Sequence, residues 1–433
     1  MKIIGSILIL VLTSLFFFPF NTSLLPSVNT KMALAAVGLL LFAYNVSRRN
    51  NGEADPAFMK VSLWAGLVSA AGLFSSLAND SGDYAYASYI VTAWVWMGGA
   101  YAVVKCIDAV FGKATLRLLT NFLVAVCVVQ CFLSQIIDSN EAFARWVDGF
   151  MVSTGFMGKA EGRLYGIGCA LDVAGMKFCT VLALLAHFAI NPSGKINKYV
   201  EIALYLAAFF VIGILGNMIS RTTSIGVAIA IAYWIGYTIY NTRTSLDAAP
   251  TKSFWGVLTA AFAFFVPVAV ILYHTDAGFH TNLRFAFEGF FSLVEKGHWE
   301  VSSNNMLMGM WVWPDNAVTW IMGDGYFNSP DSNPYYVGPH FEDYYMGTDI
   351  GYCRFVFYFG LVGLAIFCAY FVVCAQQCSN NLPQYRVLFW IILFINFVSW
   401  NKVSSDIFPI YALLLMLGRG QEEEHAPEAV EVE

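Results

Sequence analysis

Residues 199–240 read YVEIALYLAAFFVIGILGNMISRTTSIGVAIAIAYWIGYTIY. Two apolar runs, 199–219 and 224–240, flank a polar tip made of Ser220, Arg221, Thr222 and Thr223. Each run has the length that crosses a hydrocarbon layer of about 30 Å as a helix. A tip this short turns the second run back beside the first. The pair therefore reads as a helical hairpin in lipid, where a helix can satisfy its own backbone groups without water.

The pattern recurs at 3–18, 32–46, 61–77, 85–104, 118–137, 164–190, 254–273, 351–375, 387–400 and 407–417, which gives about twelve spans. Composition agrees: 58% of residues are hydrophobic and 12% charged, and the mean hydropathy of +0.62 lies far above that of a water-soluble domain. Alternating ten-residue strands, the mark of a membrane β-barrel, are not seen. The fold expected is all-α, a polytopic transmembrane helical bundle. Residues 1–273 hold nine spans, 274–350 one large loop, 351–418 three further spans, and 419–433 an acidic, solvated tail. That tail supplies much of the net charge of −6, so the charge says little about partners.

The nine cysteines lie in or beside apolar stretches and none falls in 274–350, which argues against a disulfide framework. The run after Lys2 lacks a small-residue cleavage site past Phe20 and reads as a retained first span. Orientation follows from Lys and Arg in short loops. Arg48, Arg49, Lys60, Lys105, Lys113, Arg117, Lys195, Lys198, Arg243, Lys252, Arg386 and Arg419 fall on one side, expected to be the cytoplasm together with both termini. The large loop then faces outward.

That loop is too long for a simple connection. It carries Trp299, Trp311, Trp313, Trp320, Tyr326, Tyr335, Tyr336, Tyr344 and Tyr345, either as an aromatic belt at the headgroups or as sugar-stacking surface. Apolar and polar residues alternate at helical spacing over 282–294, as in a helix lying along the interface.

An ionisable group within a span costs on the order of 2.5 to 3.5 kcal/mol on insertion scales, so it marks function by default. Asp172 shares a helix face with Gly168, Gly175 and Cys179, where the glycines admit a neighbouring helix. Its bland alternative is a hydrogen bond across that contact. Lys177 points elsewhere, and snorkelling or a structural ion pair accounts for it. Arg163 opens the sixth span and Arg221 sits at the tip between the seventh and eighth; both lie outside against the positive-inside trend. A guanidinium grips phosphate in a bidentate way, although headgroup contact or a local salt bridge explains such a residue too. Arg284, in the loop, is a weaker candidate of the same kind. Asp349 closes the loop in Gly347-Thr348-Asp349-Ile350-Gly351-Tyr352, where a carboxylate either accepts a proton or caps the next helix. His274, His280, His298 and His340 are scattered without metal-ligand spacing, and no Walker or dinucleotide motif occurs.

Taken in order, three segments resemble motifs of the bacterial O-antigen polymerase (Wzy-type) and O-antigen ligase superfamily. They are Gly162-Arg163-Leu164-Tyr165-Gly166-Ile167-Gly168 running to Asp172, Ser220-Arg221-Thr222-Thr223-Ser224, and 349–363 with its Gly360-Leu361-Val362-Gly363. The resemblance implies a GT-C-like bundle in the bacterial inner membrane. It also implies substrates that are undecaprenyl-pyrophosphate-linked oligosaccharides, and metal-independent glycosyl transfer at the periplasmic face without a cofactor. Arg163 and Arg221 would hold pyrophosphate, and Asp349 would activate the acceptor hydroxyl. Asp172, Arg284, His340 and Tyr344 would contact substrate. Its partners would be membrane lipids and a chain-length regulator protein, not nucleic acid. Ligases carry a His eleven residues before the first glycine of G-x-x-G, where this chain has Asp349. That departure favours the polymerase, with His340 keeping the ligase in view. A flippase for the same lipid-linked cargo is the competing class, opposed by the lopsided loop and the few charges inside spans.

Overall fold

The computed structural model describes residues 2–48, 56–152, 163–244, 249–330, 336–338, 341 and 344–417. Its helices are α1 (Lys2–Phe17), α2 (Thr30–Arg48), α3 (Pro56–Ala78), α4 (Tyr89–Phe111), α5 (Leu116–Ser139), α6 (Glu141–Phe150), α7 (Leu171–Ile190), α8 (Lys198–Ile219), α9 (Thr223–Thr244) and α10 (Ala249–Thr275). The loop contributes α11 (Ala277–Ala286), α12 (Glu288–Lys296), α13 (Ser302–Gly309) and α14 (Ala317–Met322). The chain then returns through α15 (Gly351–Asn381), α16 (Arg386–Ser399) and α17 (Phe408–Met416). One antiparallel ribbon, β1 (Asn21–Thr22) with β2 (Leu25–Asn29), links α1 to α2. The protein is a multi-pass, all-α membrane protein.

Among the described residues nine helices are long and apolar enough to cross a bilayer. The other expected spans are shorter. α1 has 16 residues and α16 has 14. α17, with nine residues, reaches only about 14 Å at 1.5 Å per residue, so the span expected at 407–417 is a half-depth helix. Every α17 residue from Phe408 to Leu415 is buried, so its short length is covered by protein. α7 is buried along most of its length and forms the centre, packed by α5, α8, α9 and α16. α2 and α10 turn most of their surface outward, as lipid-facing helices do.

The short turns collect at two ends. At one, Arg117 Nη1 reaches Glu201 Oε1 at 2.9 Å and its Nη2 donates to the Asn191 carbonyl at 2.7 Å, joining α5, α7 and α8. This end carries Lys105, Lys113, Lys195 and Lys198, the basic side of the sequence pattern. The large loop covers the other end.

Two helix starts differ from expectation. α4 begins at Tyr89 rather than near 85, because Asp83 is occupied with the loop backbone, accepting from Phe327 N at 2.9 Å and Asn328 N at 3.1 Å. α7 begins at Leu171, not 164. Residues 163–170 form an irregular turn: Gly168 has φ +67, and Leu171, the residue at which α7 opens, has φ +53, left-handed values that interrupt a right-handed helix. The Gln130 side chain replaces the missing helical bonds, giving Nε2 to the Ile167 carbonyl at 2.9 Å and accepting Ile167 N at 3.0 Å. Gly168 therefore precedes the helix and does not share a helical face with Asp172.

The loop is not a separate lobe. α15 breaks at Phe359 and Gly360, where Gly360 adopts φ +65 and ψ −173. The carbonyls freed by the break accept new donors: Phe357 O takes Asp324 N at 2.6 Å, and Tyr358 O takes Gly325 N at 3.1 Å and Ser75 Oγ at 2.6 Å. α14 thereby docks against the break, so close that a Cβ on Gly360 would lie 2.2 Å from the Ile321 carbonyl oxygen. The amphipathic stretch expected over 282–294 is divided at Phe287 into α11 and α12.

Candidate functional site

The loop-covered end gathers most of the chain's non-surface charge, and the turn 400–407 between α16 and α17 organises it. Trp400 caps the turn from within, its indole N–H on the Ser405 carbonyl at 3.0 Å. From that turn Lys402 reaches Asp172, Ser404 reaches Arg354, and Asp406 reaches Tyr89.

Asp172 lies in the first turn of α7, where the helix dipole favours a carboxylate. Its Oδ1 accepts from Thr222 Oγ1 at 2.5 Å, Lys402 Nζ at 2.8 Å and Ser220 Oγ at 2.9 Å. Gly175 allows this convergence, since a Cβ there would stand 2.6 Å from Ser220 Oγ and 2.9 Å from Thr222 Cβ. Among the described residues no donor reaches Oδ2, so that oxygen is open to a hydroxyl or amide from a ligand. The expected contact across a helix pair is present, but through the 220–222 turn and a lysine.

Arg221 and Arg163 both lie over the Phe285 ring, 3.9 and 5.0 Å from its centroid. Arg221 is fully engaged with the loop: Nη2 meets Glu288 Oε2 at 2.6 Å, Nε donates to the Phe285 carbonyl at 2.8 Å and Nη1 to Ser303 Oγ at 2.9 Å. Burial lowers its pKa from the ordinary value, Glu288 opposes that shift, and the like charge of Arg163 adds to it. It stays protonated nonetheless, as a guanidinium does in proteins. Arg163 is half-buried and among the described residues has no hydrogen-bond partner. It precedes α7 by a full irregular turn instead of opening it.

Beside this pair runs an apolar groove of about 710 Å³ between α8, α9 and α10. Phe210, Ile214, Val227 and Phe265 line its length, and Leu283 and Phe287 of the loop helices close its upper end near Arg221. A single hydrocarbon chain suits such a lining. Asn217 and Ser224 are its polar exceptions on α8 and α9, bonded to each other at 2.6 Å.

Asp349 stands two residues before α15, and the cap position is held by Ile350, with no side-chain capping bond. Its charge acts on Arg354, one turn into the helix. Arg354 is almost wholly buried: Nη1 donates to Ser404 Oγ at 2.8 Å and Nη2 to the Phe327 carbonyl at 2.9 Å, while the guanidinium lies between the rings of Phe327 and Tyr344 at 3.6 and 3.9 Å. Its Nε, also buried, has no acceptor among the described residues. Thus Tyr344 and Asp349 are brought together around a third arginine. Thr348 ties them to the loop by donating to the Met310 carbonyl at 2.6 Å. α13 carries Ser303, beside Arg221, and its cap residue Met310 holds Thr348, so one loop helix touches both arginine centres.

Arg284 lies apart, on the loop surface, in a two-pronged pair with Glu295 at 2.8 Å for each contact. His340 lies outside the described residues. Trp313 stacks on Trp320 at 5.4 Å with Trp311 beside it at 5.6 Å, the first and last of these carrying exposed indole surface. No group of three His, Cys, Asp or Glu that would hold a metal occurs among the described residues.

Sequence reading passed over Lys402, Arg354 and Asp406. The signal for Lys402 and Asp406 was present as a polar run, Asn401-Lys402-Val403-Ser404-Ser405-Asp406, between two apolar runs on the side where lysine is uncommon. Arg354 shows as a lone cation four residues into an apolar run. No family profile, curated protein or solved structure matches this chain.

Proposed function

We propose that this protein polymerises undecaprenyl-pyrophosphate-linked oligosaccharide repeat units by glycosyl transfer at the periplasmic face of a bacterial inner membrane, with the loop-covered end outward. The observation that carries the reading is the placement of Arg163 and Arg221 over the Phe285 ring, whose chain neighbours Leu283 and Phe287 line an apolar groove. Cations close to hydrocarbon surface suit a lipid phosphate, whose headgroup is anionic and whose chain is apolar. Arg163 takes the pyrophosphate first. Arg221 joins it when the pyrophosphate displaces Glu288, which holds the same guanidinium by like chemistry. The acceptor hydroxyl loses its proton to Asp349, its oxygen bonds to the anomeric carbon, and the bond to pyrophosphate breaks as the arginines stabilise the departing charge. Direct attack inverts the anomeric centre. Arg354 and Lys402 hold the segments bearing Asp349 and Asp172, and the exposed indoles of the loop stack on sugars.

A flippase is a second reading because Lys31, Arg354 and Asp406 join Lys177 in placing ionisable groups inside the bundle, more than the span sequences suggested. The deciding genetic test is the surface glycan of a deletion strain complemented with wild-type or Arg163→Lys protein. A polymerase defect leaves single repeats on the lipid A core. A ligase defect leaves none attached with lipid-linked polymer accumulating, and a flippase defect leaves single repeats on the cytoplasmic side; either result replaces the assignment.

A further inference from the structure

Below the Asp172 and Lys402 pair lies a second polar centre that the proposed transfer does not use. Lys177, five residues further along α7, is 6% exposed. Its ammonium lies 5.2 Å from the ring centre of Phe18, 5.6 Å from that of Phe17 and 5.9 Å from that of Trp96. Lys31, at the start of α2, approaches the same indole at 4.2 Å. Among the described residues neither ammonium has a hydrogen-bond acceptor within reach. The opposing charge is Asp406, whose carboxylate already accepts from Tyr89 Oη at 3.0 Å and from Phe408 N at 2.9 Å and acts on both lysines only through space.

Two lysines therefore share one carboxylate. Aromatic faces attract an ammonium, yet they accept no hydrogen bond of ordinary strength and do not neutralise the second charge. A buried charge in a protein is normally paired and hydrogen-bonded. Lys31 and Asp406 also keep accessible surface in spite of their interior position, so the centre is open to something of at least the size of water.

We propose that Lys31 and Lys177 form an anion subsite, beside the Trp96 and Tyr89 rings, for one singly charged oxyanion: a sugar carboxylate or a lipid phosphodiester. The subsite rests on the polymerase reading only in taking that oxyanion to belong to an acidic glycan or to the lipid that surrounds it. Such a group carries more than one oxygen to offer the two ammoniums that share the Trp96 ring, and the indole offers a face to the ring or chain that bears it.

The test uses the full chain in micelles of a polyoxyethylene detergent, which carries no phosphate, with radiolabelled glucuronate as the probe. Wild type binds glucuronate, and Lys177→Met and Lys31→Met each weaken binding about tenfold or more. Lys105→Met, an exposed lysine at the opposite end, leaves binding unchanged. Adding phosphatidylglycerol to the micelles separates the sources: loss of glucuronate binding, with phosphatidylglycerol retained by wild type but not by Lys177→Met in native mass spectrometry, assigns the subsite to a phosphodiester. Where Lys177→Met fails to fold, Lys31→Met, at the more open edge, carries the comparison. The proposal is overturned if wild type retains neither probe, or if both lysine variants bind as wild type does. No arm depends on glycan lengthening, so a failed polymerase reading leaves this result standing and the reverse also holds.

Discussion

Replacing Lys402 by Met removes the ammonium from Asp172 and leaves two hydroxyl donors on the same oxygen. Breaking one side of a fully buried pair costs about 3 to 5 kcal/mol, and an exposed pair contributes about 1 kcal/mol or less. Here the side chains retain 26% and 19% exposure, which places the pair between those limits. Asp172 also keeps the favourable dipole of α7, worth on the order of 0.3 to 1 kcal/mol. Lys402→Met should therefore cost about 2 kcal/mol. Asp172→Asn should cost about the same, because Lys402 is left with Thr222 Oγ1 at 3.2 Å as its remaining partner. If the direct contact dominates, the second substitution adds little to the first, and the coupling energy comes to about 1.5 kcal/mol. Unfolding by SDS in mixed micelles, on wild type, both single variants and the double variant, measures that coupling. Additivity within about 0.5 kcal/mol would refute the argument, since neighbours that do not interact behave so.

Arg163→Lys should abolish most glycan lengthening while leaving unfolding nearly unchanged, because among the described residues that guanidinium has no hydrogen-bond partner and meets only the Phe285 ring; Arg221→Lys should lose lengthening and stability together, read by glycan ladder and by unfolding, since three loop contacts go with it. Asp349→Asn should lower lengthening by about 10² to 10⁴ if the carboxylate is the proton acceptor, with protein level unchanged; wild-type polymer lengths would remove Asp349 from the mechanism. Gly360→Ala should destabilise by about 1 to 3 kcal/mol from backbone conformation alone, with a further loss as its Cβ meets the Ile321 carbonyl and displaces α14; faster proteolysis near 317–322 reports the displacement.

The spans were legible because apolar length is a local property: the hairpin 199–240 matches α8 and α9 to within a residue at three of its four helix ends, and α9 runs four residues further, to Thr244. What escaped is non-local. Nothing in 164–170 announces that the Gln130 side chain will replace helical bonds there, and hydropathy alone carries that stretch into α7. The G-x-x-G at Gly360 and Gly363 reads as helix packing, yet Gly360 breaks α15 to receive a loop helix from forty residues upstream in the chain. Of the site, Asp172, Arg163, Arg221, Asp349 and Tyr344 were each visible as a charge or ring in an unusual place. Their grouping was not, because the turn 400–407 that ties Asp172 to Arg354 comes from the far end of the sequence. Arg284 shows the limit of counting outward arginines, for a loop carboxylate seven residues past Glu288 already holds it.

The central claim is transfer, and it is tested by incubating the purified chain in detergent with defined undecaprenyl-pyrophosphate repeat units, with no ion or voltage gradient and with chelator present. The account predicts a ladder of lipid-linked oligomers that lengthens with time and is absent with Arg163→Lys. Unchanged single repeats with folded wild-type protein would contradict it.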